Sequence, residues 1–237
     1  MTLITGASRG IGRAIALALA DEGHNLFLLA RDERALDECA MAASDKGAEV
    51  DFVAGDLADK TYTDRAVSRA EETFGAVDVL INNAGTAMHQ PVQALDMDKW
   101  RQIMDVNLDA AVYMSSKLVP QMVARRAGAV INISSISSRI TSAGSAMYCA
   151  SKHALNGFTG CLFEDVREYG IKVSTIMPGF VDTALTQGAG LVGEKMIRAE
   201  DVAEAVRYVL SSSAACCPTE IVLRPQHSPL RGADNDE

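Results

Sequence analysis

The sequence is short of basic charge, and it has no paired-cysteine spacing, no apolar run of membrane-spanning length and no internal repeat. Lys and Arg number 22 against 31 Asp and Glu, a net charge of −9, and Arg125-Arg126 is the only adjacent basic pair. A nucleic-acid surface needs clustered basic residues, so no nucleic-acid partner is expected. The five cysteines, Cys39, Cys149, Cys161, Cys216 and Cys217, show no Cys-x-x-Cys spacing. An odd count in a chain this long fits a reducing compartment better than a disulfide framework. No stretch approaches the length of apolar sequence that spans a bilayer, and Met1 stands directly against the first apparent strand, leaving no room for a leader. A cytoplasmic protein without a membrane partner is the expectation. What is plentiful is apolar sequence: 48% of the 237 residues, enough to fill the core of one sizeable α/β domain.

Apolar runs predict strands over residues 2–5, 25–30, 49–54, 77–81, 129–134, 172–177 and 221–223. Helical periodicity fills the gaps, over about 10–22, 33–46, 60–74, 96–126 as two helices or one bent one, 146–169 and 199–211. Strands alternating with helices, with no linker-like stretch, predict a single doubly wound α/β domain over residues 1–237: a seven-stranded parallel sheet with helices on both faces. From about residue 224 to 237 an extended or loosely ordered tail is expected. The polar motifs fall just past strand ends, where open α/β sheets bind ligands.

Gly6, Gly10 and Gly12 open the first helix straight after the first strand. Glycines there permit a tight turn and let backbone N–H groups approach a pyrophosphate at the helix start. The spacing is Gly-x-x-x-Gly-x-Gly rather than G-x-G-x-x-G, and a glycine turn can also serve packing alone. The second strand ends at Ala30, followed by Arg31 and Asp32. An acidic residue at that point reads a ribose 2′-OH, an arginine a 2′-phosphate. Arg31, with Arg9 as a second cation, favours the phosphate; Asp32 keeps the alternative open, and either arginine could be ordinary solvated surface. Asp56 follows the third strand and is placed to bond an adenine, and the fourth ends in Asn82-Asn83-Ala84-Gly85, whose small residues suit a flat ligand or a plain β-turn equally well.

The chemistry is concentrated in Ser134-Ser135 at the end of the fifth strand and in Tyr148-Cys149-Ala150-Ser151-Lys152. Four residues apart on a helix, Tyr148 and Lys152 share a face. A neighbouring ammonium would favour the phenolate and bring a group of pKa near 10 towards neutral pH, while Ser135 would donate to an oxygen that gains negative charge. Asn107 is an amide within an otherwise regular helical stretch, where it could disturb the backbone ladder or bind water.

Taken in order, Thr5-Gly6-x-x-x-Gly10-x-Gly12, Asn82-Asn83-Ala84-Gly85, Asn107, Ser135 thirteen residues before Tyr148, Lys152 and Pro178-Gly179 make the sequence resemble the short-chain dehydrogenase/reductase family, classical subgroup, over about residues 2–183. The resemblance implies a Rossmann-type fold and hydride transfer to or from C4 of a nicotinamide. It implies Tyr148 as acid–base, Lys152 as its tuner and ribose ligand, Ser135 as the carbonyl-orienting hydroxyl and Asn107 as holder of a proton-relay water. It implies a cofactor lying along Gly6, Ser8, Arg9, Gly10, Ile11, Gly12, Arg31, Asp56, Leu57, Asn83, Ala84, Gly85, Tyr148, Lys152, Pro178, Gly179, Val181 and Thr183. The expected cofactor is NADP(H), with NAD(H) second; no metal is expected.

The sequence departs from the family pattern twice. Leu223 leads into Arg224-Pro225-Gln226-His227 instead of a glycine pair, and the segment 184–198, which would cover the substrate, is short and carries Gly188, Gly190 and Gly193. The expected reaction interconverts a small ketone or aldehyde and its alcohol; a 3-oxoacyl thioester reductase and a non-catalytic dinucleotide-binding sensor are the alternatives. The mouth of the site, with Ala87, Met88, residues 136–141, Phe180 and Leu185, predicts a substrate with an apolar body. His89 or Arg139 could instead anchor a carboxylate. A homodimer or homotetramer is expected, built on residues 98–126 and 146–169, including Val112, Met114, Leu118, Met122, Leu155, Phe158 and Leu162.

Overall fold

In a computed structural model, residues 1–187 and 190–230 are described. Seven strands form one parallel sheet: β1 (Thr2–Thr5), β2 (Leu26–Ala30), β3 (Val50–Ala54), β4 (Val79–Asn82), β5 (Gly128–Ile133), β6 (Ile171–Pro178) and β7 (Glu220–Leu223), in the spatial order β3-β2-β1-β4-β5-β6-β7. Every residue of β1, β2 and β4 is buried. Helices cover both faces of a parallel sheet, so its central strands read as continuous apolar runs instead of alternating.

Successive side chains leave a strand on opposite faces, and the core divides accordingly. Ile4, Leu28, Ile81, Ile131 and Ile176 pack with helices α1 (Gly10–Asp21), α2 (Glu33–Ser44) and α7 (Ala199–Ser211). Leu3, Phe27, Leu29, Leu80, Val130 and Val173 pack with α3 (Lys60–Phe74), α5 (Ala110–Arg125) and α6 (Ala146–Val166). The doubly wound architecture expected from the sequence is the one observed.

The chain winds outward from β1 to β3, then returns to lay β4 on the other side of β1. That reversal opens a crevice past the ends of β1 and β4, which is where the glycine turn and the turn after β4 both lie. The stretch 96–126 is two helices, α4 (Met97–Met104) and α5, joined by one π turn over Asp105–Asp109. Residues 224–230 pack back on the molecule: Pro225 lies against Gly179, and Val192 N donates to Pro229 O at 2.8 Å. Residues 231–237, the rest of the expected tail, and Gly188 fall outside the described residues.

Candidate active site

The glycine turn after β1 takes its shape from backbone demands. Gly6 and Gly10 have φ of +66° and +55°, in the region that favours residues without a Cβ. Gly12 is excluded from carrying a side chain by space: a Cβ there would lie 2.2 Å from Gly6 O and 2.5 Å from Asn83 Nδ2. Thr5, not among the residues singled out for the cofactor, ties this turn to the next. Its hydroxyl oxygen accepts from Asn83 N and Ala84 N, both at 3.0 Å, while Asn83 Nδ2 donates to Thr5 O and Gly6 O at 3.0 and 3.1 Å. A hydroxyl adjacent to the first glycine is the sequence signal for that clamp.

Thr183 closes the cradle from the loop after β6, its Cγ2 only 3.2 Å from where a Cβ on Gly10 would sit. Val181 is held by backbone pairing of this loop with Ile197, and Gly179 N donates to Leu223 O at 2.8 Å, fixing the exit from Pro178. Ser8 and Ile11 line the glycine turn, half-buried, and Leu57 is buried next to exposed Asp56. Asp56 Oδ1 accepts from Ala58 N at 3.0 Å, which shapes the turn after β3.

At the end of β2, Arg31 is exposed, as is Arg9 in the glycine turn, and neither forms an ion pair among the described residues. Asp32 caps α2, its Oδ1 accepting from Ala35 N at 3.1 Å. One oxygen of the carboxylate that kept a ribose reading open is therefore engaged in helix capping. An open backbone cradle, glycines where a side chain would not fit and two exposed arginines together fit a dinucleotide.

Tyr148, Lys152 and Ser135, the residues the sequence singled out, come from α6 and the end of β5. Lys152 is 3% exposed and its Nζ donates to Ile133 O at 3.0 Å, 5.9 Å from the centroid of the Tyr148 ring. Burial lowers its pKa to about 8. Burial also pushes the Tyr148 phenol above its ordinary value, and the adjacent Ser135 hydroxyl pulls it partly back. The expectation that the ammonium draws the phenol down is thus not met in this state. The amine is turned to a backbone carbonyl, and loss of solvent outweighs the rest. Ser135 Oγ accepts from Ser137 N at 3.1 Å, leaving its own proton to donate.

Asn107 lies in the π turn, buried, and its amide is fully engaged: Oδ1 accepts from Thr86 N at 2.8 Å, and Nδ2 donates to Thr86 O at 2.9 Å and Ser151 Oγ at 3.1 Å. It fastens the turn after β4 to α6. Gly85 stands between them, a Cβ there lying 3.4 Å from Asn107 Oδ1 and 3.6 Å from Lys152 Nζ. The structure therefore brings Asn107, Ser135, Tyr148, Lys152 and Gly85 together. The two candidate carboxylate anchors are not free: Arg139 pairs with Glu220, and His89 Nδ1 shares a hydrogen bond of 3.1 Å with Ser145 Oγ.

A family model described as short chain dehydrogenase matches residues 1–191. An uncharacterized oxidoreductase of Staphylococcus aureus (strain USA300) is 34% identical over 225 residues, which cover 95% of this chain and 96% of the relative. Among solved structures, a metagenomic short-chain oxidoreductase in complex with NADP superposes with a TM-score of 0.84 at 29% identity, covering 96% of this chain and 97% of the other. An alcohol dehydrogenase from the archaeon Thermococcus sibiricus, complexed with 5-hydroxy-NADP, gives 0.87 at 27% identity, covering 95% and 96%. With the glycine cradle, the Ser135, Tyr148 and Lys152 cluster and these likenesses in agreement, the chain belongs to the short-chain dehydrogenase family and is an oxidoreductase.

Proposed function

We propose that this protein is an NADP(H)-dependent oxidoreductase that interconverts a small ketone or aldehyde and its alcohol, with Tyr148 as the acid–base group. The observation that carries the reading is the placing of Tyr148 and Lys152 one helical turn apart, with Ser135 at the phenol and Gly85 at the amine. Nicotinamide, when bound, supplies or accepts the hydride. Ser135 donates its free proton to the carbonyl oxygen and Tyr148 passes its own to that oxygen as negative charge builds, so one O–H bond breaks as another forms. Burial, by raising the phenol's pKa, makes it the weaker acid, so the negative charge developing on the carbonyl oxygen has to draw the proton across. Lys152 is the cation at hand for the phenolate left behind. With the Asn107 amide spent on Thr86 and Ser151, a relay water at this turn is a matter for the π-turn backbone.

Preference for NADP(H) is supported by Arg9 and Arg31, by the capping duty of Asp32 and by the two NADP-type ligands in the solved relatives. An uncharged substrate with an apolar body is supported by the engagement of Arg139 and His89 and by exposed Ile140, Phe180 and Leu185. The experiment is a panel of matched ketones, with and without a carboxylate, assayed with NADPH and NADH. Wild type is expected to favour NADPH and the uncharged ketones, and Ala30→Asp/Arg31→Ala to reverse the cofactor ratio. Tyr148→Phe should lose about a hundred- to ten-thousand-fold in turnover while keeping cofactor affinity. Undiminished turnover in Tyr148→Phe would reject the mechanism.

A further inference from the structure

Asn156 stands one turn beyond Lys152 on α6, as Lys152 stands one turn beyond Tyr148, so spacing of four carries a third polar side chain along the same face. Its Nδ2 donates to Ser138 Oγ at 2.8 Å and reaches the Met177 sulfur at 3.2 Å. Ser138 Oγ donates to the backbone oxygen of Ser135 at 2.5 Å. The direction of this chain is fixed by its last member: a carbonyl only accepts, so the single Ser138 proton goes to Ser135, and Ser138 must receive from the amide nitrogen. Asn156 Oδ1 is left buried without a hydrogen-bond partner among the described residues, so the amide gains nothing here apart from the bonds its nitrogen makes.

We propose that Asn156 and Ser138 are positioning residues for Ser135, holding its backbone so that its hydroxyl stays on the Tyr148 phenol. Asn156 anchors the far end on the helix that carries Tyr148 and Lys152; Ser138 anchors the near end in the 3-10 turn Ile136–Ser138. The serine and the tyrosine thus sit on separate elements that these two side-chain bonds tie together, beside the bond from Lys152 Nζ to Ile133 O. Arg139 braces the same turn, reaching Met177 Sδ at 3.3 Å and pairing with Glu220. The inference rests on the reading of Ser135 and Tyr148 given above.

The test uses the full chain labelled with carbon-13 at the tyrosine ζ position, a nucleus that reports hydrogen bonding and charge at the phenol oxygen. Of the five tyrosine lines, the one missing in Tyr148→Phe is Tyr148. Ser135→Ala supplies the position of that line without the serine hydroxyl. In Ser138→Ala and Asn156→Leu the Tyr148 line is expected to move towards the Ser135→Ala position while the other four stay in place. A Tyr148 line at the wild-type position in both variants overturns the proposal, as does a Ser135→Ala line that does not move or a general shift of all five. No substrate is involved, so a wild type that reduces no ketone would reject the oxidoreductase chemistry and leave the resonances to decide the positioning chain.

Discussion

Lys152 is a cation taken out of water with no carboxylate paired to it among the described residues; its ammonium donates to a backbone carbonyl and has the Tyr148 ring 5.9 Å away. The consequence is a measurable dependence of stability on pH. Its pKa falls from 10.5 in the unfolded chain to about 8 in the folded one. Above 10.5 both states are neutral and the fold carries no penalty. As pH falls towards 8 the unfolded chain takes up the proton first, and the fold loses about 3 kcal/mol, with no further change below. Tyr148, shifted up, opposes this only above pH 10, where an unfolded phenol ionises first. Cofactor-free protein is therefore expected to gain more unfolding free energy in urea between pH 8 and pH 10 than Lys152→Met does, the opposing drift from the Cys39 thiol, which burial pushes up, being common to both. A slope identical in the two proteins would mean that the amine is solvated. None of this is visible in a Tyr-x-x-x-Lys spacing, which places two groups on one face and says nothing of how much water either retains. Asp32 and Arg139 teach the same lesson: the sequence shows their charge, and only the fold shows that one caps a helix and the other pairs with Glu220.

At the scale of elements, strands and helices were legible because burial on both sheet faces leaves unbroken apolar runs, and α3 and α7 occupy the residues the periodicity predicts, Lys60–Phe74 and Ala199–Ser211. What escaped was backbone detail set by side chains from elsewhere. The π turn at Asn107 is sealed by Thr86 and Ser151, residues distant in sequence. The packing of residues 224–230 depends on Gly179 and Val192, which no local pattern near Arg224 announces. The glycines divide in the same way. Gly12→Ala would drive a Cβ into backbone and is expected to cost about 1–3 kcal/mol and abolish dinucleotide binding. Gly157→Ala, exposed on α6 in the single chain with nothing within 4 Å of the new carbon, should leave NADPH binding intact, the helix gaining about 0.5–1 kcal/mol of propensity wherever a second copy leaves room for the methyl. Thermal denaturation of both, with isothermal titration of NADPH, checks the pair; equal effects would mean that the glycine turn is as roomy as the helix surface.

For the whole molecule, the apolar residues expected to build an oligomer prove mostly to be core: Met114, Leu118, Met122, Leu155 and Leu162 are buried against the sheet, with Val112 and Phe158 half-buried. What α6 leaves outward is His153, Gly157, Gly160, Cys161, Glu164 and Asp165, a face whose middle is made of small residues. We propose a dimer or tetramer packed there. Light scattering at micromolar concentration is expected to give two or four times the chain mass of 25.2 kDa, and Gly160→Trp to return it to the single mass. A single mass for wild type would reject the assembly.

The strand order has a further consequence, for synthesis. Each strand, as it leaves the ribosome, finds its partner already made: β2 joins β1, β3 joins β2, β4 takes the free edge of β1, and β5, β6 and β7 add outward in turn. No strand has to be threaded between two that are already paired. The clamp from Thr5 to Asn83 and Ala84 can close while more than half of the chain is still unmade. Ser135, Tyr148 and Lys152 emerge later, onto a turn that is already built.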